Sequence, residues 1–136
     1  MGHRLLAVTL LLTGCGTALP DADSLVVDVK LESAVVGGKI PFTFANQSET
    51  EVVTGALDCV VGYERREGAR WVLHHSLRMC VAIAELHPPG SLRGYQTIAP
   101  ESNGIWRLVV EAWTGSGPGR SIVTTRSQPF TVVAND

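Results

Sequence analysis

The chain has 136 residues, with 11 Lys and Arg against 13 Asp and Glu, and its net charge of −2 leaves no basic field to hold a nucleic acid. A hydrophobic fraction of 45% at this length fits one domain able to bury its own core. Three cysteines without a CxxC spacing argue against the common zinc and redox motifs.

Residues 1–14 place His3 and Arg4 ahead of an apolar run, Leu5 to Leu12, and end in small residues before a cysteine, the layout of a secretory leader. The run is far shorter than the roughly twenty residues that span a bilayer. Leu12-Thr13-Gly14-Cys15 resembles the bacterial lipoprotein signal, in which the cysteine sulfur receives a diacylglyceryl group before cleavage. An ordinary cleaved secretory peptide is the alternative. The resemblance implies a mature chain that begins at Cys15 and is held to a membrane by its acyl chains, each buried methylene adding about 0.8 kcal/mol. It also implies residence on the outer side of a bacterial cell envelope, and Gly16 after the cysteine favours the outer membrane in a two-membrane host.

Cleavage leaves 122 residues and removes Arg4, which takes the net charge to about −3. With Cys15 assigned to lipid, Cys59 and Cys80 form an even pair in an oxidising compartment, where a disulfide is the expected state. Such a bridge, closing a loop of about twenty residues, would stabilise the fold by roughly 3 kcal/mol. A pair of reactive thiols or metal ligands is the rival reading.

Residues 16–24 are small and turn-forming and read as a flexible tether. Residues 25–32 alternate, with Val27, Val29 and Leu31 opposite Asp28, Lys30 and Glu32, the pattern of a half-buried strand. Gly37-Gly38 turns the chain, and Ile40, Phe42 and Phe44 repeat the alternation. Pro41 has no N–H to donate, so that side of the strand is expected to be unpaired or at the strand's start. Leu57, Cys59, Val61 and Tyr63 share one face of the next expected strand. The polar stretch 64–70 turns it into Trp71-Val72-Leu73-His74, a hairpin with Gly68 available for a positive φ.

Residues 76–84 suit a helical turn or an irregular crossover pinned by Cys80, which Pro88-Pro89-Gly90 closes, and residues 91–98 resume as a strand. The strongest pattern is 105–113, with Trp106, Leu108, Val110 and Ala112 inward and Arg107, Val109, Glu111 and Trp113 outward. Residues 115–119 form a glycine-rich turn, 122–125 a short strand, and Phe130 to Val133 the last one. About seven short strands without a long amphipathic helix predict an antiparallel β-sandwich over residues 25–134, a closed barrel being the alternative.

Three stretches together resemble the bacterial immunoglobulin-like domains of small lipoproteins. They are Tyr63-Glu64-Arg65-Arg66 with Gly68-Ala69-Arg70-Trp71, then Leu86-His87-Pro88-Pro89-Gly90-Ser91, and Gly104-Ile105-Trp106-Arg107-Leu108-Val109, with Ser127 to Val132 similar to the closing strand. The resemblance implies an immunoglobulin-like β-sandwich acting as an adhesion or scaffolding module. Trp106 stands where that family has a tyrosine, so only an indole N–H could replace the phenol's corner hydrogen bond.

Residue types that carry chemistry are present but not in working arrangements. His74 and His75 are adjacent and point to opposite faces of a strand, and His87 is expected in a separate loop, so no metal site is predicted. Residues 115–119 lack the GK[ST] ending of a phosphate cradle, and Ser116 lacks a nucleophile-elbow setting. Glu49, Glu51, Glu64 and Glu67 read as solvated loop carboxylates, and Asn46-Gln47-Ser48 as an empty glycosylation pattern. No catalytic residue and no cofactor is expected. The candidate binding surface is Arg65, Arg66 and Arg70 at the hairpin tip, with Trp113 beside Val109 on an outer strand face. The expected role is non-enzymatic binding of an envelope protein or component. Protease inhibition through loops 64–70 and 115–120 is the second reading.

Overall fold

The structure is a computed structural model that describes residues 19–74, 83–114 and 120–135. The expected leader, Cys15, His75, most of the expected crossover 76–84 with Cys80, and the expected turn 115–119 lie outside the described residues. After a short 3-10 turn, Ala22–Ser24, come strands β1 (Leu25–Val29), β2 (Ser33–Val35), β3 (Lys39–Asn46), β4 (Val52–Thr54), β5 (Gly62–Glu67) and β6 (Arg70–His74). The remaining strands are β7 (Glu85–His87), β8 (Leu92–Ile98), β9 (Gly104–Thr114), β10 (Ser121–Arg126) and β11 (Phe130–Val133).

Two sheets form. One has the order β1-β3-β8; in the other, β2, β11, β9, β4 and β7 follow in line, β10 and β5 also pair with β9, and β6 pairs with β5. Several segments lie end to end on the same neighbour. Thus β10 and β11 run along one edge of β9, β5 and β4 along its other edge, and β6 and β7 outside those. The first strand changes sheets between β1 and β2, and β2 pairs in parallel with β11. Counted this way, the described segments fill seven strand positions. The chain crosses between sheets from β3 to β4, returns from β7 to β8, and crosses again to β9, a Greek-key path. This is an all-β, antiparallel immunoglobulin-like sandwich.

Each interruption has a local cause. Between Val53 opposite Trp113 and Gly62 opposite Val109, one strand advances nine positions while β9 advances four, so residues 55–61 loop out. They close on themselves through Cys59 N and Val60 N, both donating to Ala56 O at 3.0 and 2.9 Å. The continuous strand expected through Leu57, Cys59 and Val61 is therefore replaced by a turn, although Leu57 and Val61 still plug the core. Between β10 and β11 one extra residue is accommodated around Ser127-Gln128-Pro129. Ser127 repairs the ladder there, its N–H donating to Leu108 O and its hydroxyl accepting from Leu108 N, each at 2.9 Å.

The expected alternations hold on β1, β3 and β9, and their inward residues form one core. In an antiparallel ladder a residue's N–H and C=O point the same way. The carbonyl of Pro41 accepts from Lys30 N at 2.9 Å, so its missing N–H faces the side where β1 has already ended at Val29. The hairpin is tighter than the sequence suggested, because β5 and β6 stay paired to Glu67 and Arg70. Of the two turn residues, Gly68 takes a positive φ of 63° and Ala69 does not, as a type II′ turn requires. The end of the tether is also ordered, with Pro20 buried and Ser24 O accepting from Gln47 N at 2.7 Å.

At the start of β9 the Trp106 ring is buried and its Nε1–H donates to Ser102 O at 3.1 Å. The indole thus makes the backbone bond, a few residues upstream, that a corner tyrosine makes elsewhere. Tyr63 reinforces the same corner by donating to Ile98 O at 2.6 Å, with Thr97 Oγ1 also at 2.6 Å. A Trp106→Phe substitution, which keeps an aromatic ring but removes the donor, is expected to lower the unfolding free energy by about 1 kcal/mol, and Trp106→Ala by about 3–5 kcal/mol. Urea unfolding measures both; a Phe variant as stable as the parent would show that the indole bond contributes nothing.

Candidate functional site

The outer face of the larger sheet gathers the residues that could engage a partner. Because β9 alternates strictly, Trp106, Leu108, Val110 and Ala112 face the core and Arg107, Val109, Glu111 and Trp113 face outward. Register then lines up an apolar row across four strands: Ile122 opposite Trp113, Trp113 opposite Val53, and Val53 opposite Leu86. Its ends are open, Ile122 and Leu86 each being 57% exposed. The Arg120 guanidinium sits 5.1 Å from the centroid of the Trp113 ring, a cation–π distance.

Beside this row the face is ionic. Glu64, opposite Arg107 in register, is buried, and its carboxylate accepts from Arg107 Nε at 2.6 Å and from Arg126 Nε at 2.8 Å. Arg107 also lies over the Trp71 ring, 4.2 Å from its centroid. Burial by itself would raise the carboxyl's pKa, but the hydrogen bonds from Arg126 and Arg107 outweigh it and hold it below the usual value. Glu64 is therefore no solvated loop carboxylate; it ties β5, β9 and β10 together. Val109 is buried too, because Gly62 leaves room above itself for Leu73: a Cβ there would stand 3.4 Å from Leu73 Cδ1 and 3.5 Å from Val109 Cβ.

Of the residues singled out in the sequence, Trp113 lies on this face, and Arg66 and Arg70 are exposed near the hairpin turn. Arg66 shares this face with Glu64, whereas Arg65 and Arg70, the latter opposite Glu67 in register, project to the other side. There Arg65 Nη2 donates to Asn103 O at 2.8 Å and its Cζ lies 5.8 Å from the Trp106 ring centroid. Gly104, with φ 146°, makes room for it, since a Cβ there would stand 2.8 Å from Arg65 Nε. The arginines of the hairpin are thus divided between two surfaces. Segment 64–70, expected as an inhibitory loop, is two paired strands around a two-residue turn, and most of the other candidate loop lies outside the described residues.

His74 is exposed, with Nε2 3.4 Å from Glu67 Oε1. His87 ends a strand rather than standing in a loop, and it is fully buried. Among the described residues no group of three His, Cys, Asp or Glu could hold a metal ion, and no helix is long and apolar enough to cross a membrane. Cys59 is half-buried on the 55–61 turn and is engaged rather than free. Its expected partner Cys80, like Cys15, lies outside the described residues.

Asn46 is the polar hub between the sheets. Its Nδ2 donates to Thr50 O at 2.8 Å and His87 O at 2.9 Å, while Oδ1 accepts from Ser48 N and Ser48 Oγ at 3.0 and 2.6 Å. Fully buried, with both amide hydrogens committed, it offers no nitrogen for glycosylation in the folded protein.

No protein family and no curated protein matches this chain. Among solved structures it is similar to the ASH/PapD-like domain 7 of human CEP192, at 10% identity and a TM-score of 0.36 over 99% of this chain and all of that one. The fold assignment rests on strand order and pairing, not on that likeness.

Replacing Glu64 by Gln leaves Arg107 and Arg126 without their counter-charge. It is expected to lower the unfolding free energy by about 2 kcal/mol at neutral pH, less than for a fully buried pair because Arg126 is partly solvated. Because Glu64's folded pKa lies below its unfolded value of 4.5, this contribution is complete above that pH and is lost as pH falls through the folded value. Urea titrations of both proteins from neutral to acid pH test it; the gap should close on acidification, and a constant gap would assign the loss to packing instead.

Proposed function

We propose that this protein is a non-enzymatic lipoprotein of the bacterial cell envelope, anchored through Cys15 and binding a protein partner with the outer face of its larger sheet. The row Ile122, Trp113, Val53 and Leu86 carries the binding part of this reading. It is apolar, continuous across four strands and open at both ends, and it contains Trp113 with the Arg120 guanidinium over its ring, both residue types favoured as interface anchors. The membrane part rests on Leu12-Thr13-Gly14-Cys15 behind the charged and apolar leader. Export in turn favours a Cys59–Cys80 disulfide, which would tether the looped-out turn 55–61 to the segment after β6.

Cells fed radiolabelled palmitate are expected to label the parent chain and not a Cys15→Ser variant; an unlabelled parent would remove the anchor from this reading. A photo-crosslinking residue in place of Leu86 or Ile122 is expected to capture one discrete partner in intact cells, whereas the same residue in place of Lys39, on the other sheet, is not. Equal capture from all three positions, or none, would remove the docking face.

A further inference from the structure

His87 closes β7 with its ring edge-on to Phe44, centroids 4.7 Å apart. Its Nε2 lies 2.8 Å from Thr54 Oγ1, which is also 2.8 Å from Gly55 O, an oxygen that can only accept. With the Thr54 hydrogen on Gly55 O, Nε2 bears the ring proton and Nδ1 the lone pair, the tautomer that leaves no buried ring N–H without an acceptor. Nδ1 is buried and has no hydrogen-bond partner among the described residues. Protonating the ring would create an N–H donor there with no described acceptor, which a folded interior tolerates poorly.

The neighbours offer little relief. The charged groups that face the ring are Glu85, two residues earlier on β7, and Arg93 of β8; β4 presents Thr54, and β3 presents Phe44 and Asn46. The Glu85 carboxylate is already held by the Tyr95 hydroxyl at 2.6 Å and faces Arg93 at 3.6 Å. Burial lowers the pKa of His87 below its ordinary value, against Glu85 and with Arg93.

The ring also sits where the fold is thinly held. The β4–β7 ladder has three residue pairs, and β4 joins β9 through Val53 and Trp113 alone. The contact of His87 with Thr54 is a side-chain tie between the two strands. We infer that His87 is an acid-released latch: protonation frees the β4–β7 ribbon and takes with it Val53 and Leu86, half of the apolar row. The effect on docking rests on the function proposed above, whereas the latch itself does not.

A group whose folded pKa is below its unfolded value of about 6.5 contributes fully above that pH, and its contribution falls on acidification until the folded pKa is reached. Native-state hydrogen exchange of the full chain reads this directly. Between pH ~6.5 and the folded pKa of His87, the opening constants of the protected amides in 52–54 and 85–87 should rise by up to about tenfold per pH unit, while those of the β3–β8 ladder should not. His87→Gln, which can still donate to Thr54 but cannot titrate, should flatten the rise. An equal rise in the Gln variant, or none in the parent, would overturn the latch. Should the variant fail to fold, nitrogen shifts of the parent's imidazole decide: the Nε2–H tautomer titrating below the ordinary range is expected, and an Nδ1–H tautomer or a ring charged at neutral pH would refute it. None of these readouts needs a partner, so failure of the latch and failure of the docking face are separable.

Discussion

The register of β9 is the constraint on which the rest of the structure depends. Its eleven residues pair with β10 and β11 on one edge and with β5 and β4 on the other. Since side chains alternate with a period of two, a slip of one residue would turn Trp106, Leu108, Val110 and Ala112 to solvent and drive Arg107, Glu111 and Trp113 into the core. Burial of the first set therefore fixes where the second set points. The Glu64 clamp on Arg107 and the row through Trp113 both follow from that single choice of face.

A second layer of order is polar. Asn46 and His87 are fully buried between the sheets, and each is bound by more than one segment. Asn46 is saturated, and a saturated buried amide holds one arrangement of strands against competing ones, because every alternative leaves donors without partners. Among the described residues, His87 has a partner for one ring nitrogen and none for the other. The same burial that makes Asn46 a clamp makes His87 sensitive to a proton, so one region of the interior supplies both rigidity and a means of release.

The outer face combines these features into a surface with two characters. Around Glu64 it is rigid and electrostatic, with charges compensated inside the protein. Along Ile122, Trp113, Val53 and Leu86 it is apolar and uncompensated, which suits contact with another molecule better than contact with water. Its two ends are supported unequally: Ile122 belongs to a strand paired along its length with β9, whereas Leu86 belongs to a three-residue ladder.

Much of the fold was legible in the residue pattern. The alternations of β1, β3 and β9 and the hairpin around Gly68 could be read, because each depends on neighbours within a few positions, whereas Trp106 in the place of a corner tyrosine followed from the family resemblance alone. What escaped reading depended on partners far along the chain. Glu64 looked like a loop carboxylate because nothing near it in sequence announces Arg107 and Arg126, which arrive from β9 and β10. His87 looked like a loop histidine because two prolines follow it, whereas pairing with Val52 draws it into a strand. The breaks at 55–61 and 127–129 were hidden because buried Leu57 and Val61 imitate a continuous strand, and because a single inserted residue has no signature of its own.

By itself, the sequence determined the fold class and the inward sets of β1, β3 and β9, since these follow from local periodicity and composition. Only the tertiary structure decided which strands lie side by side, and with that which charges neutralise one another, which apolar residues remain uncovered and which histidine is buried. The physical reason is that burial and ion pairing are properties of packed neighbours, and a linear pattern specifies the face a residue points to but not what it meets there.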